Sequence, residues 1–514
     1  MKKTTLNLAS LSLAILVSLQ PGLALAKDAP ADALHSRQID VDSVVVTNHD
    51  TKVLGESFSY KAYTGTQPVW DDEGNAIASV FYTYYERQGV KDRNSRPLLI
   101  SFNGGPGSAS VWMQIAYTGP QAINIDSEGY PLQPYGVKEN PYSVLDTADI
   151  VFVNPVNTAY SRVLPGKDGK LPGKDAQQKM FFGTNSDIKY LADWLNTFVS
   201  RYDRWPSPKY LIGESYGTTR VSGLALALQN QQWMYLNGVV LVSPTEIGIK
   251  REGPVDVANR LPYFAATAWH HKKLPQELQQ KDLMEVLAEV EEYTLNNYLP
   301  ALAKGAFIDP AEKQGVAEKV AHYSGLSLKS VLQNNLDIEP SFFWKDLLRD
   351  EGKTLGRLDS RYIGIDRKES GDRPDYNAEL TSWLHSFTPA MNHYLRTELN
   401  YKTDVKYNMF GPVHPWDNSN DNTGENLRLA MAANPYLNVM IQSGYYDGAT
   451  NYFDAKYSMW QLDPSGKMKD RLSFKGYRSG HMMYLRHDDL KQSNQDLRDF
   501  IKATLVKPDQ AAKY

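Results

Sequence analysis

The hydrophobic pattern changes character three times along the chain. Residues 59–87 alternate polar positions with Tyr, Val, Phe and Ile, interrupted by Asp71-Asp72-Glu73-Gly74-Asn75. Alternation broken by an acidic, Gly-containing cluster predicts an antiparallel hairpin. Short, nearly continuous apolar runs follow at 97–102, 149–153, 209–212 and 236–242. Runs of that kind suit strands buried on both faces of a mostly parallel sheet. Residues 185–199 carry Leu191, Leu195 and Phe198 at helical spacing, and 218–228 also reads as a helix. Past Glu246 the strand signal fades. Leu283, Val286, Leu287 and Val290 then fall at i, i+3, i+4 and i+7, the stripe of an amphipathic helix. Further helical patterns continue past Leu332 and Leu347 until strands resume at 437–442 and 471–474, with a last helix over 488–505. Strand, helix, strand in this order predicts an α/β fold with a helical insertion. The chain divides into an N-terminal extension at 27–54, a core at 55–249, a helical cap at 250–430 and a second core part at 431–514. There is no internal repeat, and the Gly-, Lys- and Pro-rich stretch 166–173 reads as an exposed loop.

The first 26 residues have a different pattern. Lys2 and Lys3 precede an apolar stretch from Leu6 to Leu19, Pro21-Gly22 breaks it, and Ala24-Leu25-Ala26 supplies small residues. That is the layout of a secretory signal cut after Ala26; as a membrane anchor the run is too short. The expectation is an exported protein, periplasmic or secreted, with no membrane contact once the signal is removed. The chain has no cysteine, which excludes disulfides, thiolate metal sites and a Cys nucleophile. Its 514 residues can bury a large core without such staples. A formal charge of −4 with both signs interspersed gives no footprint for nucleic acid. The 32 tyrosines are accounted for by aromatic surface and core.

Candidate chemistry sits at the ends of the expected strands. Gly213-Glu214-Ser215-Tyr216-Gly217 lies between a strand and a helix, as a nucleophile elbow requires, which makes Ser215 a candidate nucleophile. A plain Gly-rich turn is the alternative. A serine needs a base, and the base needs an orienting carboxylate. Asp447, in Gly444-Tyr445-Tyr446-Asp447-Gly448, and His481, in Gly480-His481-Met482, each follow a late strand. The order Ser, Asp, His is that of α/β-hydrolases. Of the ten histidines, only His481 lies between a late strand and the last helix; His270 and His271 fall in the insertion. No metal-binding spacing appears, and the Asn- and Asp-rich stretch 417–425 reads as a polar turn. No cofactor is implied. Asn103-Gly104-Gly105-Pro106-Gly107, directly after the strand at 97–102, could supply backbone N–H groups to an oxyanion.

These four motifs, together with Phe152-Val153-Asn154-Pro155-Val156-Asn157-Thr158-Ala159-Tyr160-Ser161, resemble the serine carboxypeptidase family over most of residues 55–505. The resemblance implies an α/β-hydrolase fold with a mostly parallel central sheet and a largely helical cap insertion. It implies Ser215 as nucleophile, His481 as base and Asp447 as its orienter. The N–H groups of Gly105 and Tyr216 would form the oxyanion hole. Asn103, Gly104 and Glu214 would bind the free carboxylate of a peptide C-terminus, which requires a protonated Glu214. The implied activity is release of C-terminal residues from peptides. An esterase or acyltransferase on the same three residues is the rival reading, and a binding protein without turnover the second. The sequence departs from the family at Ser101, where Trp is usual, and at Ser108, where Cys is usual. Tyr117 stands where the family places a Glu that pairs with the motif Glu. Lacking that carboxyl, Glu214 is expected to face the Tyr117 phenol and to ionise at a lower pH than a paired carboxyl.

Overall fold

Ten strands make one sheet in a computed structural model that describes residues 37–506, 511, 513 and 514. The expected signal segment, 1–26, lies outside the described residues. Strands β1 (Ser43–Val53), β2 (Glu56–Trp70) and β3 (Ala76–Arg87) pair antiparallel in sequence. The acidic cluster is the β2–β3 turn because Asp71 caps it: its Oδ1 accepts the N–H groups of Glu73 at 3.1 Å and Asn75 at 2.8 Å. The later strands are β4 (Leu98–Phe102), β5 (Asp149–Val153), β6 (Arg162–Val163), β7 (Lys209–Glu214), β8 (Gly238–Val242), β9 (Asn438–Gly444) and β10 (Leu472–Tyr477). The spatial order is β1-β2-β3-β5-β4-β7-β8-β9-β10, with β6 beside β3. From β5 to β10 every neighbouring pair is parallel.

The continuous apolar runs arise because helices cover both faces of these strands. Leu98, Ile100, Phe102, Val239 and Leu241 point into one core layer, while Leu99, Val240 and Val242 point into the other. Helices α1 (Thr184–Arg201) and α2 (Tyr216–Gln231) cover the first layer, and Leu191, Leu195 and Phe198 form the buried stripe of α1. In the insertion, α3 (Leu261–His270), α4 (Leu283–Tyr293) and α5 (Pro310–Ser324) share a core of their own that runs from Ala258 to Leu355. The α4 stripe is divided. Val286 and Val290 face that core, whereas Leu283 and Leu287 pack on Tyr445, Tyr446 and Phe453 after β9. Further along the insertion, α6 (Ala378–Thr397) and α7 (Thr423–Ala433) lie against the two faces of the sheet itself. The last helices, α8 (Tyr452–Leu462) and α9 (His487–Thr504), take opposite faces in the same way.

Two strands are not foretold by the pattern: β6, only two residues long, and β1. β1 occupies the stretch read as an N-terminal extension, and it is an edge strand with Val44 and Val46 exposed. With one side unpaired and partly wetted, it tolerates polar residues such as Asn48, His49 and Asp50, which blurs the period-2 signal. The strand order reverses between β4 and β7, since the chain runs from β4 outward to β5 and later returns to β7. In open α/β sheets such a switch point leaves a crevice at the carboxyl ends of the strands. Both Asn103–Gly107 and Glu214–Gly217 emerge there. Among the described residues, no helix is long and apolar enough to cross a membrane.

Candidate active site

Ser215 stands where β7 turns into α2, at φ 56° and ψ −127°, a conformation a non-glycine residue rarely adopts. Its N–H donates to the Val242 carbonyl of β8 at 2.9 Å, which ties the turn to the neighbouring strand. Gly213 makes the turn possible: a Cβ there would lie 2.1 Å from the Gly217 carbonyl oxygen. Gly104 performs the same service between the two loops, since its Cβ would lie 2.4 Å from the Tyr216 nitrogen. The Gly104-Gly105 backbone and the first N–H of α2 are thereby adjacent. The N–H groups of a first helical turn have no partner inside their helix, so Tyr216 has a donor to offer a ligand.

A fully buried arginine, which sequence reasoning does not single out, holds this loop pair together. Arg220 donates from Nε to Asp187 Oδ2 at 2.6 Å, and from Nη1 to the Asn103 carbonyl at 2.8 Å. Its Nη2 reaches the Pro106 carbonyl at 3.2 Å. The segment 152–161 braces the loop from the other side. Asn154 Oδ1 accepts the Ser110 N–H at 2.9 Å, and Ser110 Oγ donates to the Val153 carbonyl at 2.5 Å.

Asp447 and His481, on the turns after β9 and β10, meet at 2.7 Å between Oδ2 and Nδ1. A carboxylate only accepts, so Nδ1 carries the proton and Nε2 of the neutral ring is left unprotonated. Asp447 is wholly buried, and it accepts the N–H groups of Ala449 at 2.8 Å and Thr450 at 3.1 Å and the Thr450 hydroxyl at 2.8 Å. Two backbone contacts fix the His481 loop: its N–H donates to the Leu358 carbonyl at 2.6 Å, and its carbonyl accepts the Ser243 hydroxyl at 2.7 Å. Burial works against a charge on His481, but the Asp447 carboxylate, with Glu214 behind it, holds the imidazole above its ordinary range. Asp454, the nearby carboxylate, is turned instead to Asn451 and Asn259.

Glu214 is 3% exposed, and burial pushes its carboxyl up to about 7, against the opposing effects of the His481 charge and of hydrogen bonds from Tyr484 and Asn103. Asn103 Nδ2 donates to Glu214 Oε1 at 3.0 Å, and the Tyr484 hydroxyl donates to Oε2. The expectation for Tyr117 is therefore corrected. Its hydroxyl donates to Gln442 Oε1 at 2.7 Å, and its ring stacks on Tyr484 at 4.7 Å. Tyr117 is a backing plate; the phenol that faces Glu214 is Tyr484. No pattern in the sequence marks Tyr484, which stands three residues past His481 in an apolar turn.

Ser215, His481, Glu214, Gly104, Gly105 and Tyr216 all line one cavity of about 430 Å³. Asn103 and Asp447 stand behind its wall, each hydrogen-bonded to a residue that lines it. Ser108, at the position of the family's usual Cys, reaches the cavity and accepts the Trp112 indole N–H at 3.1 Å. Ser101 is buried under the site. His271 is satisfied by the Ser360 carbonyl at 2.6 Å, and burial lowers His270 to about 4. Asp417 closes a local turn with Ser419.

A sequence model of the family described as serine carboxypeptidase matches residues 54–482. The chain belongs to the serine carboxypeptidase family. It is 30% identical over 191 residues to the serine carboxypeptidase-like protein 36 of Arabidopsis thaliana, a stretch that covers 36% of this chain and 35% of that protein. With carboxypeptidase Y of Saccharomyces cerevisiae the identity is 31% over 131 residues, covering 25% of this chain and 21% of that one. Each such match spans about a third or less of the relative's length. The backbone also matches a crystal structure of Kex1Δp, a prohormone-processing carboxypeptidase of Saccharomyces cerevisiae, with a TM-score of 0.51 at 14% identity. That match covers 86% of this chain and 91% of the other, and it establishes a shared fold, an α/β-hydrolase with a mostly parallel sheet.

The two tyrosines beside Glu214 are separable by experiment. Donation from Tyr484 favours the ionised carboxyl, so Tyr484→Phe should raise the Glu214 midpoint further, on the order of one pH unit. Tyr117→Phe keeps the ring stack and should leave that midpoint in place. Infrared titration of the carboxyl band, with Glu214→Gln as the blank, reads both. Equal shifts in the two variants would mean that the Glu214 contact is assigned to the wrong phenol.

Proposed function

We propose that this chain is a serine-type carboxypeptidase, releasing C-terminal amino acids from peptides through an acyl-enzyme on Ser215. The observation that carries this reading is the buried Asp447–His481 hydrogen bond behind a cavity that also holds Ser215 and a protonatable Glu214. Ser215 Oγ attacks the last peptide carbonyl while His481 Nε2 takes its proton, and Asp447 stabilises the imidazolium. The N–H groups of Gly105 and Tyr216 receive the developing oxyanion. His481 then protonates the departing amine, and water activated by the same nitrogen hydrolyses the ester. The peptide's own terminal carboxylate is held by Glu214 in its neutral form, with the Gly104 backbone beside it and Asn103 fixing the Glu214 carboxyl.

The helices around the 258–355 core act as the cap of this site. The reading also includes export to the periplasm or the medium, supported by the Lys2-Lys3 start, the apolar stretch and Ala24-Leu25-Ala26. N-terminal sequencing of the exported protein should then find Lys27 first, and an intact Met1 on that material would remove this part of the reading.

Ser215→Ala should lose on the order of 10⁴-fold or more in kcat for a free-acid peptide while keeping the fold. A near wild-type rate in a pure, folded variant would sink the nucleophile assignment. Comparing that peptide with its C-terminally amidated form separates a carboxypeptidase, which prefers the free acid, from an esterase or acyltransferase, which does not.

The pH dependence follows from Glu214 and His481. Above a midpoint near 7 Glu214 becomes a carboxylate and repels the substrate's own, so KM for a free-acid peptide should rise about tenfold per pH unit there. The bound substrate's negative charge moves that rise upward from the free-enzyme midpoint. His481 sets the acid limb, because its raised pKa keeps it protonated, and unable to act as base, further up the pH scale. A blocked ester substrate should show only the acid limb. Glu214→Gln should flatten the rise in KM; an unchanged profile in that variant would mean another group senses the substrate carboxylate.

A further inference from the structure

The cavity carries one charged side chain that the proposed reaction does not use. Arg357, contributed by the insertion, lies on the wall with Leu358, Leu380 and Met482, and it is exposed. Among the described residues, nothing hydrogen-bonds or ion-pairs with its guanidinium. Other arginines near the site are neutralised: Arg220 by Asp187, and Arg361 by Asp359 and Glu128. The backbone that presents Arg357 is nevertheless fixed. Its carbonyl accepts the Gly448 N–H at 3.0 Å, and the next carbonyl, Leu358, accepts the His481 N–H. The Leu358 N–H donates to the buried Glu379 Oε1 at 2.8 Å. Gly356 permits this packing, because a Cβ there would lie 2.4 Å from Glu379 Oε2. A firmly anchored loop thus holds a free cation beside the catalytic imidazole.

A guanidinium is a planar fork that matches a carboxylate bidentately and is weakly hydrated, so it binds oxyanions readily. Left bare, the Arg357 charge also opposes the imidazolium that must form on His481 during attack. An anionic ligand group would cancel that opposition. The position says which part of the substrate it meets. His481 hands its proton to the departing amine, so the departing residue lies against the His481-Met482 wall, to which the Arg357-Leu358 loop is hydrogen-bonded.

Resting on the carboxypeptidase reading, we infer that Arg357 is the specificity residue of the leaving-residue subsite, binding the side-chain carboxylate of a C-terminal Asp or Glu. The test uses the full chain and three peptides that differ only in a last residue of Glu, Gln or Lys, at neutral pH and low salt. Wild type should favour Glu over Gln by on the order of tenfold in kcat/KM. Arg357→Gln should bring that ratio close to one, Arg357→Lys should keep part of it, and Arg357→Glu should turn the preference toward Lys. Because the guanidinium makes no hydrogen bond or ion pair among the described residues, these variants should fold, which circular dichroism checks. A wild-type ratio near one, or a ratio that survives Arg357→Gln, would overturn the inference. So would equal losses on Glu and Gln peptides, which would assign Arg357 to the terminal carboxylate. Failure of the parent reading looks different: none of the three peptides would release its last residue.

Discussion

The site depends on how closely two turns can approach at the carboxyl ends of β4 and β7. These strands are parallel neighbours at the point where the strand order reverses, so their exit loops must share one crevice. Backbone meets backbone there, with the Gly104 Cα against the Tyr216 nitrogen and Gly213 against Gly217. A methyl group at either glycine would force the loops apart. The strained Ser215 conformation, the clustering of backbone donors and the burial of Glu214 all follow from that one contact. Arg220 supplies the counter-tension, with its guanidinium shared between Asp187 and two carbonyls of the Asn103–Gly107 loop.

Burial also organises the electrostatics. Glu214 and His481 lie in the same desolvated pocket, and the two respond oppositely: desolvation disfavours charge on both, while each favours charge on the other. Asp447 tips the balance toward imidazolium, its carboxyl being supplied with two backbone N–H groups and the Thr450 hydroxyl. Glu214, lacking a second carboxyl, is pushed up to about 7 chiefly by burial, behind a wall of two stacked tyrosines. A proton shared between two carboxyls is one way to hold a carboxyl neutral; a dry, aromatic-lined pocket is another.

The insertion contributes to the site through its edge more than its bulk. The 258–355 core is a separate packing unit, but the loop that follows threads between Gly448 and His481 and ties down the turns that carry Asp447 and His481 through backbone bonds. The same segment presents Arg357. The proposed specificity residue and the geometry of the proposed catalytic turns are thus joined by one stretch of chain, so changes at 356–359 would move both.

The parts whose physics is local were legible in the sequence. Nearly continuous apolar runs marked the inner strands of the parallel block, because each is covered on both faces. The spacing of Leu191, Leu195 and Phe198 marked α1, and glycine-bracketed turns at strand ends drew attention to Ser215, Asp447, His481 and the Asn103–Gly107 loop. Which groups meet across long stretches of chain is set by the folded arrangement. Tyr484 reaches Glu214 over 270 positions and Tyr117 reaches Gln442 over 325, and a one-residue difference in how a turn faces would exchange such partners. Arg220 sits in a helix and Arg357 in a loop of the insertion, where nothing in the neighbouring residues distinguishes them from surface arginines. β1 was hidden for the converse reason: neither face of this edge strand is fully buried from Ser43 to Asp50, so its sequence need not alternate. Patterning records which face of an element is buried, whereas the identity of the partner on that face is fixed only when the chain closes on itself.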